Sequence, residues 1–171
     1  MSYKSINPKE LHENIFEMID NKWFLITAAK NDGNYNTMTA SWGGMGIMWG
    51  KPVTWCVIRP QRYTYEFMEE TDYYTFSFYP EQYKKALGIL GTKSGRDGDK
   101  VAESGLTFLD IDGDGKTIAF KEAEIIMVCK KLYYQDVNPD QFIEKDLDKN
   151  YPNKDYHRMY FGEIIECLVK E

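Results

Sequence analysis

The stretch Asn36–Arg62, NTMTASWGGMGIMWGKPVTWCVIRPQR, decides how the rest of the chain is read. It holds small hydroxyl residues, a glycine-rich turn, three tryptophans and two arginines. Core segments avoid that mixture, because hydroxyls and guanidinium groups need partners when buried and glycine needs a backbone reason. A site for a flat aromatic ligand that carries a phosphate uses all of them. Thr37, Thr39 and Ser41 alternate with Met38, Ala40 and Trp42, the period of an antiparallel strand with one face of hydroxyls. A solvated sheet face presents the same row. Gly43, Gly44 and Gly46 then break the strand, and Val53–Ile58, VTWCVI, begins another.

Upstream, Trp23–Ala29 (WFLITAA) is a strand too apolar to be half exposed, and Asn31-Asp32-Gly33-Asn34 supplies the turn that returns it to Asn36. Before it, Asn7-Pro8-Lys9-Glu10 reads as a capped helix start. Leu11, Ile15, Met18 and Ile19 then lie on one helical face that packs on the body and stops near Asn21. Downstream, Arg59 and Arg62 precede a short helix beginning at Tyr63 and Thr64, where unpaired N–H groups and the dipole favour an anion. Salt bridges from these arginines to Glu66, Glu69 or Glu70 are the alternative. Tyr73–Phe78 is a strand, and a helix opening at Pro80-Glu81 buries Tyr83, Leu87 and Leu90. It ends in the polar loop Gly91–Asp97. Asp97 can cap a further short helix, and Lys100 lies on its first turn. This loop meets the phosphate from the other side, or it is solvated surface.

Asp110–Gly115, DIDGDG, opens like a calcium loop, but its twelfth position is Lys121, where a bidentate Glu is needed. It reads as a tight acidic turn between Thr107–Leu109 and Thr117–Phe120. Glu124–Tyr134 is a long strand. The segment 135–152 is an acidic excursion with a helical turn near Gln141–Glu144, and Ile164–Val169 closes the chain as a strand.

Composition bounds the rest. The 171 residues, 43% hydrophobic and 28% charged, suit one globular domain with a real core. A net charge of −6 argues against a nucleic-acid surface and leaves any anion site local. Cys56, Cys129 and Cys167 form no C-x-x-C pair and read as buried reduced thiols. His12 and His157 are too few for a histidine metal centre, so no metal site is expected. Without an apolar leader or span, no membrane association is expected, and the expected location is cytoplasmic. Six or more strands with short helices between them suggest a small antiparallel barrel.

Five motifs in order carry a resemblance: NTMTASWGG at 36–44, KP at 51–52, RPQRYT at 59–64, SGRD at 94–97 with Lys100, and HRMYFGEI at 157–164. The chain from Trp23 to Val169 resembles the flavin reductase family of FMN-binding split barrels, close to the flavoredoxins. The resemblance implies a mainly β fold, a six-stranded antiparallel split β-barrel with peripheral short helices, forming a homodimer with FMN near its interface. It implies that Asn36, Thr37, Met38, Thr39, Ser41 and Trp42 border the flavin. Arg59, Gln61, Arg62, Tyr63 and Thr64, with Ser94, Gly95, Arg96 and Lys100, would hold the phosphate and ribityl chain. His157 and Tyr160 would lie near the exposed side of the ring. The implied activity is hydride transfer from NAD(P)H to flavin N5, then onward transfer to free flavin, a ferric complex or a partner protein. The alternative is an FMN electron carrier without nicotinamide activity. No G-x-G-x-x-G fingerprint is present, and a nicotinamide stacking on a bound flavin would not need one. The excursion at 135–152 and the turn at 110–115 are not part of the family pattern.

Overall fold

A computed structural model describes residues 2–171. The β-branched and aromatic runs become strands, and the chain order is β1 (Tyr3–Ile6), β2 (Phe24–Ala29), β3 (Tyr35–Ala40), β4 (Gly43–Met48), β5 (Lys51–Ile58), α1 (Tyr63–Glu70), β6 (Tyr73–Phe78), α2 (Lys84–Thr92), α3 (Lys100–Ser104), β7 (Phe108–Asp110), β8 (Ile118–Phe120), β9 (Ile125–Asp136) and β10 (Arg158–Lys170). Seven strands run in the order β3-β2-β6-β9-β10-β5-β4, every pair antiparallel, and the path does not close. β1 pairs with the C-terminal half of β10, which makes eight strands, and β7 and β8 form a separate hairpin. This is the mainly β, split-barrel architecture expected, with two strands more than the six anticipated.

One extra strand is the glycine run itself. Gly43–Met48 does not break the sheet; it pairs with Cys56–Lys51. A Cβ on Gly44 would run into the Trp55 indole, and one on Gly43 would come 2.6 Å from the Trp55 carbonyl oxygen. The glycines therefore let Trp55 lie against its neighbouring strand, a reason that strand propensity does not register.

The expected N-terminal helix is split. Asn7 caps it as read, with its Oδ1 accepting from Lys9 N at 3.0 Å, but the 3-10 turn ends at Glu10. Asn14 then caps a second start, accepting from the Phe16 and Glu17 amides at 3.1 and 3.3 Å, and a π-helical turn covers Glu17–Lys22. A mid-segment Asn that bonds nearby amides competes with helix continuation.

All six residues of β2 are buried, because both faces of β2-β6-β9 are covered. Phe24, Phe76 and Phe78 fill one side, with Phe24 and Phe76 stacked at 3.9 Å. Leu87 and Leu90 of α2, with Ala119 and Phe120 of β8, cover the other. The 110–115 segment is the tight turn expected: Asp110 accepts from the Gly113 and Gly115 amides, both at 3.0 Å, and Asp112 accepts from the Thr117 hydroxyl at 2.5 Å. The cap of α3 is Asp99, not Asp97, accepting from Ala102 N at 3.0 Å. The excursion holds two 3-10 turns, Pro139–Gln141 and Lys145–Asn150, and the turn anticipated near Gln141–Glu144 meets the first only at Gln141. All three cysteines are buried, and burial pushes the Cys129 thiol up to about 12 and Cys167 up to about 11. Among the described residues no helix is long and apolar enough to cross a membrane.

Candidate functional site

Two adjoining clefts open where β3 and β5 end and α1 begins. The larger, about 200 Å³, is lined by Met38–Trp42, Val57, Arg59, Arg62 and His157. The smaller, about 120 Å³, is lined by Asn36, Met38, Gln61–Thr64, Gly91–Ser94 and Lys100. Met38 and Arg62 border both, so the pair forms one elongated depression. The segment 36–64 wraps one side of it, the loop after α2 closes the narrow end, and His157 closes the wide end.

The charge of the narrow end is unusual. Arg62 is half-buried, and among the described residues its guanidinium has no carboxylate or hydrogen-bond acceptor. Burial first, then the neighbouring Arg59, pulls its pKa below the usual arginine range. Lys100 is only 4% exposed and donates to the Leu90 and Lys93 carbonyls at 3.0 and 3.2 Å. It too lacks a carboxylate, and burial, then Arg62, lowers its pKa to about 8. α1 has no side-chain cap at its N-terminus, so its first amides add partial positive charge. Two desolvated cations held side by side destabilise an empty site and favour an anion.

The glutamates proposed as alternative partners are engaged elsewhere. Glu66 takes Arg96, Glu69 takes Arg158 at 2.9 Å, and Glu70 takes Lys30 at 2.7 Å. Arg59 is instead tied to Asp155 at 2.9 Å and to the Asn150 carbonyl at 2.8 Å, and its bond to Asp155 holds that carboxyl below the usual range. Gln61 donates to the same Asp155 oxygen.

Several sequence-selected residues have other tasks. Asn36 donates to the Thr64 hydroxyl at 2.8 Å and so fixes the start of α1 against β3. Thr37 faces inward, 2.8 Å from the Thr27 hydroxyl, and Thr39 donates to the Leu87 carbonyl at 2.5 Å. Thr37 and Thr39 thus meet β2 and α2 rather than solvent, although Thr39 also lines the larger cleft, as does Ser41. Ser94 reaches the smaller cleft. Gly95 does not; it packs on Asn36, and a Cβ there would strike the Asn36 amide. Arg96 donates to the Gln61 carbonyl at 3.0 Å, binds Glu66, and lies 4.7 Å over the Tyr63 ring. It lines neither cleft. Tyr160 is fully buried with its hydroxyl 2.6 Å from Glu69, so it is a core residue and not a ring-side one. The physical reason is register: Tyr160 pairs opposite Cys56 on β5, with its side chain inside the sheet.

His157, by contrast, is 8% exposed and lines the wide end, with its ring 5.3 Å from Trp42. Burial, then Arg59, lowers its pKa to about 4, so the imidazole is neutral at pH 7. Its Nδ1 is 2.8 Å from the Tyr151 hydroxyl. Sequence reasoning missed Tyr151, Asn150 and Asp155, which bring the end of the excursion onto the site. Their one signal was closeness in sequence to His157.

An open antiparallel sheet with a cationic depression at the ends of β3 and β5 defines a split-barrel protein. The chain matches the family described as "Flavin reductase like domain" over residues 18–171, and it belongs to that family. An FMN-binding domain of a flavin reductases-like enzyme from Shewanella baltica superposes with a TM-score of 0.69 at 14% identity, over 98% of this chain and 77% of that one. The flavoredoxin of Desulfovibrio vulgaris (Miyazaki F) gives 0.67 at 23% identity, over 98% and 76%. The flavoredoxin of Methanosarcina acetivorans gives 0.67 at 17%, over 100% and 77%. At those identities the structures speak for the fold. A search of curated protein sequences returned no match.

Proposed function

We propose that the protein binds FMN in this depression and acts as an NAD(P)H-dependent flavin oxidoreductase. The observation that carries the proposal is Arg62, a half-buried guanidinium with no partner among the described residues, set beside the buried Lys100. A phosphate group answers both charges. Arg62, Lys100, Ser94 and the first amides of α1 would hold it, and Met38–Trp42 would border the ring. When bound, FMN supplies the hydride-accepting ring, and the protein's task is to bind, orient and exclude water. His157 contributes a neutral imidazole at the wide end, and the Arg59–Asp155 pair fixes the segment that carries it. Acid–base machinery beyond that is not required. The electrons would pass on to free flavin, a ferric complex or a redox partner protein.

The second reading is an FMN electron carrier without nicotinamide chemistry, the role that the names of two structural neighbours, both flavoredoxins, carry. Anaerobic mixing of the FMN-loaded protein with NADH and with NADPH separates the two. Loss of the flavin absorbance with either one supports the oxidoreductase; no change with both leaves the carrier.

The homodimer belongs to the same proposal. Trp49 (54% exposed) in the turn between β4 and β5, Tyr133 (43%) of β9 and Phe161 of β10 form an aromatic group on the surface. Contiguous exposed aromatics of this kind mark an association surface. A second copy is the occupant that the family resemblance supplies.

A further inference from the structure

Tyr151 lies in the acidic excursion that the family pattern does not cover, and it is buried against the site. Its ring packs with Phe142, Tyr156 and Arg59, the last at 5.2 Å. Its hydroxyl has one partner among the described residues, His157 Nδ1 at 2.8 Å. Two proton arrangements satisfy that distance. If Nδ1–H donated to the tyrosine oxygen, the buried phenolic proton would have no acceptor, which costs a full desolvation penalty. If the phenol donates to Nδ1, every proton in the pair is used. The imidazole proton then resides on Nε2.

Among the described residues Nε2 has no partner, yet the one buried side-chain polar atom left unpartnered there is Asp155 Oδ1. Nε2 is therefore reachable, on a residue that lines the larger cleft. We infer that Tyr151 is a positioning residue: by donating to His157 Nδ1 it fixes the Nε2–H tautomer and presents a neutral N–H donor to whatever occupies the wide end of the depression. Burial of the ring beside Arg59 keeps that donor uncharged. The 145–157 segment thus acquires a role, since the Arg59–Asp155 pair and the Arg59–Asn150 bond hold Tyr151 in place. The part of this inference that concerns a ligand rests on the flavin reading above; the tautomer does not.

The test is nitrogen-15 NMR of the imidazoles in the full-length, ligand-free protein. Only His12 and His157 contribute, and His12→Gln assigns them. The expected result is a protonated Nε2 and an Nδ1 without a one-bond proton coupling. The bridging proton instead belongs to oxygen, and its resonance disappears in Tyr151→Phe. That variant keeps the ring packing and should admit the Nδ1–H tautomer, shifting the tautomer ratio by about two- to tenfold, the weight of one hydrogen bond. A one-bond coupling at Nδ1 in the wild type would overturn the inference, as would an unchanged tautomer ratio in Tyr151→Phe. In the FMN-loaded protein, Tyr151→Phe should lower kcat with NADH by about two- to tenfold and leave FMN affinity within about twofold. Should the wild type show no nicotinamide activity, the oxidoreductase reading fails while the NMR result still decides the tautomer.

Discussion

Arg62→Met separates the cost of an unpaired charge from the benefit it brings to a ligand. The substitution keeps an apolar stem of similar length and removes the guanidinium. In the ligand-free protein Arg62 makes no ion pair among the described residues and crowds Arg59 and Lys100, so its removal relieves desolvation and repulsion. Fully buried unpaired charges cost several kcal/mol; Arg62 is half-buried, and discounting for solvent leaves about 0.5–1 kcal/mol of stabilisation. For a chain of this size that is a rise of about 1–4 °C in Tm. FMN binding should move the other way. A charge-assisted bond to phosphate is worth about 1.5–3 kcal/mol, so Kd should rise about 10- to 150-fold. Differential scanning fluorimetry of the FMN-free protein and a flavin fluorescence titration read the two effects separately. The reasoning fails if the variant is destabilised, which would reveal a structural partner for Arg62. It fails equally if Kd is unchanged.

Further outcomes follow from the same geometry. Lys100 titrates at about 8 in the free protein, and a bound phosphate would raise that value, so the complex keeps a proton that the free protein loses. FMN affinity should therefore weaken as pH rises above 8, by at most about tenfold per pH step, and Lys100→Met should abolish that dependence in titrations from pH 6.5 to 9.5. Arg96→Ala should change FMN affinity by less than about threefold, because Arg96 is spent on Glu66 and the Gln61 carbonyl; a loss as large as that of Arg62→Met would place Arg96 on the phosphate after all. Trp49→Glu should convert a dimer to a monomer in light scattering after size exclusion. A monomeric wild type would refute the aromatic face as an interface between copies.

Much of this architecture was legible because local signals agreed with burial. WFLITAA and VTWCVI became strands, and Asp32-Gly33 turned β2 into β3, with Lys30 N bonded to the Asn34 carbonyl at 2.7 Å. The glycine run failed as a reading because its strand role depends on Trp55 lying across it, a long-range fact. Asn14 failed for the opposite reason: its side chain caps a new start at Phe16 and Glu17, inside a run whose apolar spacing favoured one continuous helix. At the site, residue type placed Arg62, Ser94, Lys100 and His157 around one depression. It could not rank equivalent cations. Arg59 and Arg96 match the same pattern as Arg62, yet Asp155 and Glu66 occupy them, and those partners lie 96 and 30 residues away in sequence. Tyr160 shows the limit of carrying a motif over without register, since it lies three residues beyond His157, on β10, and faces the core.

If the narrow end of the depression takes a phosphate, flavins with and without that group must bind differently. Parallel titration of the flavin-free protein with FMN and with riboflavin, which differ in that group alone, tests it most directly. FMN should bind at least about tenfold more tightly, with the difference collapsing in Arg62→Met. Equal affinities for the two flavins, or no binding of either, would contradict it.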